Sequence, residues 1–212
     1  MITTNHRLTV YNLSLIAICA AIILISYILN DSESNAAFIQ FMTEQFGRTN
    51  KWSGTYGPEW LVTIADEISA LGSRTVVLME IIFFSSYFYL IRYQSKLREF
   101  LITSIGGLIF LLILKIIFSD NYSDTSLLPI DGLSFPSGHT MMAIVMYYNI
   151  INLIFPMSSN SKGKNFTIIS VVLIAVMVGV SRLIVGAHSP FEVLAGFAAG
   201  YIWTFVSEKF LK

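Results

Sequence analysis

Two short stretches decide how this chain is interpreted. Residues 135–139 read Phe-Pro-Ser-Gly-His, and residues 181–192 read Ser-Arg-Leu-Ile-Val-Gly-Ala-His-Ser-Pro-Phe-Glu. Each stretch places titratable side chains at the edge of a long apolar run, and two of the chain's three histidines, His139 and His188, lie in them. Arg and His are costly at the edge of a membrane and commonly mark a functional site there. We therefore predict one anion-binding site shared by the two stretches, with the rest of the chain as its scaffold.

The composition is that of an integral membrane protein. Of the 212 residues, 55% are apolar and 12% are charged, against roughly 25% charged residues in soluble domains. The mean hydropathy is +0.69 and the formal net charge is zero, so no overall field attracts nucleic acid. The single cysteine, Cys19, excludes an internal disulfide and a cysteine-ligated metal site. The length predicts a single membrane-embedded domain over residues 1–212.

The apolar runs predict an all-α polytopic membrane protein with six transmembrane helices. The first run is long enough to cross a bilayer and has no small-residue cleavage site, so we expect a retained helix and no signal peptide. The predicted spans are residues 10–29, 75–91, 101–118, 138–155, 166–185 and 191–206.

The long loop between the first two spans, residues 30–72, carries helical periodicity. Its apolar residues recur at helical spacing between Pro58 and Gly72, which suit the start and the end of a helix. We predict an interfacial amphipathic helix over residues 58–71, lying near the active face, and a weaker second helix over residues 38–46. A folded cap that only packs against the bundle is the alternative. The apolar residues of the first helix are Trp60, Leu61, Ile64, Ile68 and Leu71.

The basic residues predict the orientation in the membrane. One side of the predicted bundle collects most of them, whereas the loops of the other side hold most of the acids and only Arg48 and Lys51. The positive-inside rule then places both termini in the cytoplasm and the candidate site at the periplasmic or exterior face. The bases on the predicted cytoplasmic side are Arg7, Arg92, Lys96, Arg98, Lys162, Lys164, Lys209 and Lys212.

Positive groups from three predicted spans point to a phosphate site. Lys115 and Arg182 lie near the outward ends of the third and fifth spans, and Ser137 and Gly138 begin the fourth. A helix start offers free backbone N–H groups and the positive end of the helix dipole. A phosphoryl group suits these donors better than a carboxylate, because it has more oxygens to bind. Taken alone, Lys115 is also compatible with a side chain that extends to the membrane interface.

His188 and Glu192 predict nucleophilic catalysis. They are four residues apart at the turn into the sixth span, so both lie on one helix face. A carboxylate on one imidazole nitrogen leaves the other free to attack phosphorus, and His139 then serves as general acid. The expected reaction runs through a phosphohistidine, which water activated by His139 hydrolyses. Glu192 also fits a capping box with Ser189 and Pro190, and we expect one carboxylate not to serve both roles fully.

These residues resemble the type 2 phosphatidic acid phosphatase family of membrane phosphatases, which shares its core with bacterial nonspecific acid phosphatases and vanadium haloperoxidases. The family's Pro-Ser-Gly-His motif is intact at residues 136–139. Its last motif matches at Ser181, Arg182 and His188, with Glu192 where the family has Asp. The resemblance covers the third to sixth spans, with the core motifs in residues 115–192.

The resemblance implies a role for each matched residue. His188 would be the nucleophile, Glu192 its orienting carboxylate and His139 the general acid. No metal or other cofactor is implied, and no His/Cys/Asp cluster in the sequence has metal-ligand spacing. The phosphate-binding residues would be Lys115, Ser137, Gly138 and Arg182.

The first family motif departs from its pattern. The family has Arg-Pro where this chain has Tyr122 and Ser123, so one guanidinium is missing. Tyr122 donates one hydrogen bond without charge, and losing a charge-assisted bond costs about 1.5–3 kcal/mol of binding. Arg74, which opens the second span at the same face, is our candidate replacement, with an interfacial anchor as its alternative role.

The resemblance also implies a substrate class. In bacteria it points to a lipid phosphate of the inner membrane: undecaprenyl pyrophosphate, phosphatidylglycerophosphate, phosphatidic acid or lipid A phosphates. We expect undecaprenyl pyrophosphate or a broad set of lipids, with no nucleic acid and no obligate protein partner. The alternatives are a lipid phosphotransferase that uses the same histidine and a catalytically weakened protein that only binds lipid phosphate.

Overall fold

A computed structural model describes residues 2–48, 54–118, 134–154 and 160–211. Within these residues the chain forms eight α-helices and, apart from one isolated bridge between Arg48 and Tyr56, no β-structure. The all-α prediction is confirmed. The helices are α1 (Ile2–Leu29), α2 (Ser32–Phe46), α3 (Glu59–Ala70), α4 (Arg74–Leu90), α5 (Gln94–Ile117), α6 (Gly138–Ile154), α7 (Ser161–Ile184) and α8 (Pro190–Phe210).

Several helices are long and apolar enough to cross a membrane. Three segments of the described chain meet this test, namely Glu59–Leu90, Gln94–Ile117 and Ser161–Ile184. A fourth is added if Leu13–Leu29 and Glu33–Phe46, which are bent by 85° at their junction, count as one span. The chain is therefore an integral membrane protein. The predicted count of six spans stays a prediction, because α6 and α8 are not among these segments.

The helices extend beyond the predicted spans at several ends. α5 begins at Gln94, seven residues before the apolar run, and its first turns carry a Lys96–Glu99 ion pair of 2.6 Å. Opposite charges three residues apart stabilise an exposed helical turn. Hydropathy detects only the apolar part of such a helix, whereas its backbone hydrogen bonds continue into the polar region.

The loop between α1 and α4 folds into two helices, as predicted. Asp31 caps the start of α2 by accepting from the backbone N–H of Ser34 at 2.7 Å, which lowers the pKa of its carboxyl. α3 covers nearly all of residues 58–71 and is separated from α4 by three residues only. It packs along α7 and buries Ala65 and Ser69 there. The structure shows α3 packed against the bundle, as the folded-cap alternative expects. Its placement at the membrane interface stays a prediction.

α8 is the central helix of the bundle. It packs against α1, α5 and α6, and its contact with α6 depends on glycine. A Cβ atom at Gly196 would lie 2.6 Å from the carbonyl oxygen of Ser137, and one at Gly200 would lie 2.9 Å from that of Met141. Since no side chain fits at such distances, these glycines let the two backbones approach closely. The close approach holds Ser137 against the first turns of α8.

The bundle has two chemically different ends. Helices α1, α5 and α7 end at the same end of the bundle at which α4, α6 and α8 begin. Contacts such as Asn30–Ser189 and Ser69–Arg182 show this arrangement. The far end carries the basic residues of the α4–α5 connection, the start of α7 and the end of α8. The predicted charge asymmetry thus matches the fold, whereas the compartment that each end faces stays a prediction.

Candidate active site

The turn between α7 and α8 carries a hydrogen-bonded His188–Glu192 pair. The distance from His188 Nδ1 to Glu192 Oε2 is 2.8 Å, and the two side chains are only 11% and 8% exposed. A carboxylate on Nδ1 orients the ring and leaves Nε2 free to act as a base or nucleophile. The geometry expected from the four-residue spacing is therefore present.

Glu192 also completes a capping box at the start of α8. Ser189 Oγ accepts from the backbone N–H of Glu192 at 3.2 Å, and the backbone N–H of Ser189 donates to Glu192 Oε2 at 3.0 Å. The same oxygen bonds His188, so the expectation that one carboxylate cannot serve both roles was wrong. A carboxylate oxygen has two lone pairs and accepts both bonds. The side chain of Ser134 also hydrogen-bonds to Glu192.

The Pro-Ser-Gly-His motif forms the start of α6 beside this pair. The backbone N–H of Ser137 donates to the carbonyl oxygen of Glu192 at 3.0 Å. A Cβ atom at Gly138 would lie 3.2 Å from Leu111 and 3.9 Å from Cε of Lys115, so glycine keeps the helix start open toward Lys115. The hydroxyl of Ser137 is buried and has no hydrogen-bond partner among the described residues.

Four cationic or titratable side chains lie within electrostatic range of His139. They are Arg182, His188, Arg74 and Lys115. Lys115 also donates to the carbonyl oxygen of Ser134 at 3.4 Å and interacts with Arg74. The structure therefore brings together the predicted residues of α4, α5, α6 and α7. Tyr122 falls outside the described residues.

Arg182 is held by a residue that the sequence analysis did not identify. Its Nη1 donates to Ser69 Oγ of α3 at 2.5 Å, and Asp66, one turn earlier on α3, interacts with it electrostatically. The Nε atom of Arg182 is buried without a partner in the described part of the chain. Ser69 is a small polar residue in an amphipathic helix, and nothing in its sequence context indicates a long-range contact.

Asn30 is the second such residue. It ends α1 with only 1% of its surface exposed, and its Oδ1 accepts from the Ser189 hydroxyl at 2.5 Å. In the sequence, Asn30 is the first residue of the loop predicted over residues 30–72. A polar residue at the end of an apolar run is the common case, so its sequence context gave no sign of this contact.

A segment before α3 covers the α7–α8 turn. The backbone N–H of Tyr56 donates to the carbonyl oxygen of Ile184 at 2.9 Å, and the Gly54 carbonyl occupies the space that a Cβ atom at Gly186 would need. Gly186 has a φ of 69°, which also favours glycine. Tyr56 is 1% exposed, and this burial raises the pKa of its hydroxyl. The turn that carries His188 is thus packed on its outer side.

Comparisons with known proteins identify the family of this membrane protein. The sequence profile of the PAP2 superfamily matches residues 100–211, which is more than half of the chain. The chain therefore belongs to the PAP2 superfamily, the type 2 phosphatidic acid phosphatase family. All the motif residues assigned from the sequence except Arg74 lie within the matched region.

Two relatives come from Bacillus subtilis and one from Aquifex aeolicus. Phosphatidylglycerophosphatase B of B. subtilis (strain 168) is 37% identical over 84 residues, which cover 37% of this chain and 39% of that protein. The crystal structure of a transmembrane PAP2-type phosphatidylglycerolphosphate phosphatase from B. subtilis matches with a TM-score of 0.73 at 22% identity, covering 94% of both chains. Aquifex aeolicus LpxE matches with a TM-score of 0.55 at 20% identity, covering 82% of this chain and 94% of that one. At these identities the two structures establish the shared fold.

Proposed function

We propose that this protein is a metal-independent lipid phosphatase that hydrolyses a phosphomonoester or a pyrophosphate of a membrane lipid through a phosphohistidine. The observation that carries the proposal is a pair of buried polar atoms without partners among the described residues, Ser137 Oγ and Arg182 Nε. Buried polar groups are nearly always hydrogen-bonded. The two atoms belong to the helix ends that adjoin the His188–Glu192 pair, where a bound phosphoryl group would satisfy both.

The chemistry assigned to the site has two steps. His188 Nε2 attacks phosphorus, the bond from phosphorus to the lipid or lipid-phosphate oxygen breaks, and His139 donates a proton to that leaving oxygen. Water then attacks phosphorus, His139 takes its proton, and the phosphorus–nitrogen bond breaks to release phosphate. The net reaction consumes one water molecule and restores both histidines. Glu192 stabilises the positive imidazole ring of His188 during both steps.

The anion-binding groups support the transferred phosphoryl group from several sides. The start of α6 offers the free backbone N–H groups of a helix N-terminus, beginning at Gly138. Lys115 and Arg182 add charge from α5 and α7. Arg74 is proposed to supply the guanidinium that the family has in its first motif, because it lies within electrostatic range of both Lys115 and His139. Tyr122 is proposed to donate an uncharged hydrogen bond.

The substrate is proposed to be a lipid of the phosphatidylglycerophosphate type. Two of the relatives act on this class by name, the curated B. subtilis protein and the structure with the TM-score of 0.73. Undecaprenyl pyrophosphate remains the second candidate. Lipid A, a highly anionic sugar lipid, is less favoured, because acidic residues such as Asp66 near Arg182 provide no basic surface for it.

The membrane placement forms part of the proposal. Helices α1, α4, α5, α6, α7 and α8 are proposed to span the bilayer within a single domain, with both termini in the cytoplasm. The site then lies at the periplasmic or exterior face of the plasma membrane. A lipid phosphate would reach it sideways from the outer leaflet, keeping its acyl or prenyl chains in the bilayer.

The first test measures phosphate release by the detergent-purified protein with a chelator present. The panel comprises phosphatidylglycerophosphate, undecaprenyl pyrophosphate, phosphatidic acid and lipid A. We expect release that survives chelation and falls by at least a thousandfold in His188→Ala, since the covalent route is then closed. His6→Ala, which changes the histidine near the start of α1, is the matched control and should keep wild-type turnover.

Other outcomes separate the alternatives. Transfer of labelled phosphate to an added lipid acceptor without free phosphate would identify a phosphotransferase. Folded protein that turns over no lipid on the panel would contradict the phosphatase proposal and favour a lipid-phosphate-binding role. Loss of turnover upon chelation, restored by a divalent cation, would contradict metal independence.

A further inference from the structure

We infer that Asn30, at the end of α1, is a positioning residue that holds the His188 turn in its reactive geometry. The inference rests on the proposed phosphohistidine chemistry and assigns a role outside the family match, which begins at residue 100. Asn30 is 1% exposed, and its side-chain oxygen accepts from the Ser189 hydroxyl. Its effect must pass through the residues to which it is bonded.

A short hydrogen-bond chain leads from Asn30 to the imidazole ring. The Ser189 hydroxyl donates to Asn30 Oδ1 at 2.5 Å, and the same hydroxyl oxygen accepts from the backbone N–H of Glu192 at 3.2 Å. Glu192 Oε2 then accepts from His188 Nδ1 at 2.8 Å and from the backbone N–H of Ser189 at 3.0 Å. Each hydrogen bond in this chain restricts the orientation of the group that makes the next bond.

The Ser189 hydroxyl has one hydrogen, and Asn30 determines where that hydrogen points. When the hydrogen is directed to Asn30, a lone pair faces the N–H of Glu192 and the first turn of α8 stays capped. Without Asn30 the part-buried hydroxyl loses its acceptor and can rotate toward another one. The carboxylate of Glu192 is in the same capping box, so a rotated hydroxyl competes with His188 for it.

α1 can give this support because it is firmly packed at the site end of the bundle. Ile23 joins the core cluster that contains Ala195 and Ala199 of α8. Tyr27 lies with its ring centroid 5.5 Å from that of Phe135, directly before the Pro-Ser-Gly-His motif. The end of α1 is therefore fixed against both motifs. Residues 186–189, by contrast, form a turn outside both helices, which the backbone N–H groups of Gly186 and Ala187 join to the end of α7.

The experiment uses Asn30→Leu, which keeps the approximate size and removes the acceptor. We expect kcat to fall about 10- to 100-fold, since small misplacements of a reacting group have effects of this size. KM and the inhibition constant for inorganic phosphate should stay within about twofold, because the proposed anion-binding groups are on α4, α5, α6 and α7. Ser26→Ala, which changes a buried residue one turn earlier on α1, is the matched control and should keep wild-type kcat.

A double-mutant cycle tests the route of the effect. If Asn30 acts through the Ser189 hydroxyl, Asn30→Leu adds nothing to the loss already caused by Ser189→Ala. Additive losses, an unchanged kcat in Asn30→Leu, or a KM that rises as much as kcat falls would each overturn the inference.

A second measurement does not depend on turnover. In ¹⁵N spectra of the detergent-solubilised protein, the Nδ1 signal of His188 is assigned by its loss in His188→Ala. We expect the Nδ1–H proton to exchange faster with water in Asn30→Leu, and in Ser189→Ala if the first variant does not fold, while Ser26→Ala leaves it unchanged. An unaltered exchange rate in both variants overturns the inference. Normal spectra of a wild-type protein that turns over no lipid would count against the proposed function alone.

Discussion

At the scale of single residues, one carboxylate oxygen joins the start of α8 to His188. Glu192 Oε2 accepts from the Ser189 backbone and from His188 Nδ1 at 3.0 and 2.8 Å. The Glu192 side chain brings its carboxylate back over the first turn of α8 to the backbone N–H of Ser189. The cap of α8 and the hydrogen bond to His188 thus share one carboxylate oxygen.

Substitutions at Glu192 separate charge from geometry. We expect Glu192→Gln to lower kcat about 100-fold or more, because a neutral amide does not stabilise the positive imidazole ring of the phosphohistidine steps. Glu192→Asp keeps the charge and should lose far less. Steady-state kinetics on the preferred lipid measure both variants. Equal losses would indicate that geometry, and not charge, governs this position.

Substitution of Arg74 tests whether this residue replaces the guanidinium that is missing from the first family motif. Arg74 is near Lys115 and His139, although the family model begins only at residue 100. Removing a charge-assisted hydrogen bond costs about 1.5–3 kcal/mol, so Arg74→Ala should raise KM about 10- to 100-fold. Arg92→Ala, at the far end of α4, is the control. Unchanged kinetics in Arg74→Ala would assign Arg74 to interfacial anchoring.

At the scale of elements, α3 is part of the site rather than a detached surface helix. It lies along α7, and Ile68 joins the core cluster formed by Ala143, Tyr147, Ala175 and Val178. Ser69, one residue further, accepts the Nη1 hydrogen of Arg182. The amphipathic pattern of residues 58–71 predicted the helix, but the identity of its partner follows only from the packing of α3 on α7.

Ser69→Ala tests the contribution of α3 to phosphate binding. The substitution leaves a buried guanidinium N–H without its acceptor, so we expect KM and the inhibition constant of inorganic phosphate to rise roughly tenfold. kcat should change little, because His188 and Glu192 keep their contacts. Thr63→Val removes a hydroxyl from an exposed position of the same helix and serves as the control. A loss confined to kcat would contradict a phosphate-binding contribution.

At the scale of the whole molecule, the candidate site and the basic residues of the helix connections lie at opposite ends of the bundle. Helix ends meet around His139 and His188, and the opposite end carries basic residues at the starts of α5 and α7. This asymmetry follows from the alternating direction of the helices. The positive-inside rule then predicts that the site faces away from the cytoplasm.

Cysteine labelling tests the orientation. In a Cys19→Ala background, Glu44→Cys on exposed α2 should react with a membrane-impermeant maleimide added to intact cells. Asn160→Cys, at the exposed start of α7, should react only after lysis. The reverse pattern would contradict the orientation, and labelling of both positions in intact cells would contradict the arrangement of spans between them.

The sequence by itself determined the local features of this protein. Apolar runs specify helices because buried backbone must bond internally, and the spacing of His188 and Glu192 places them on one helical turn whatever the rest of the chain does. Only the tertiary structure decided which side chains from residues 30–74 reach the site. The Asn30–Ser189 and Ser69–Arg182 bonds join residues 159 and 113 positions apart. Contacts over such separations depend on how whole helices pack, which no local pattern encodes.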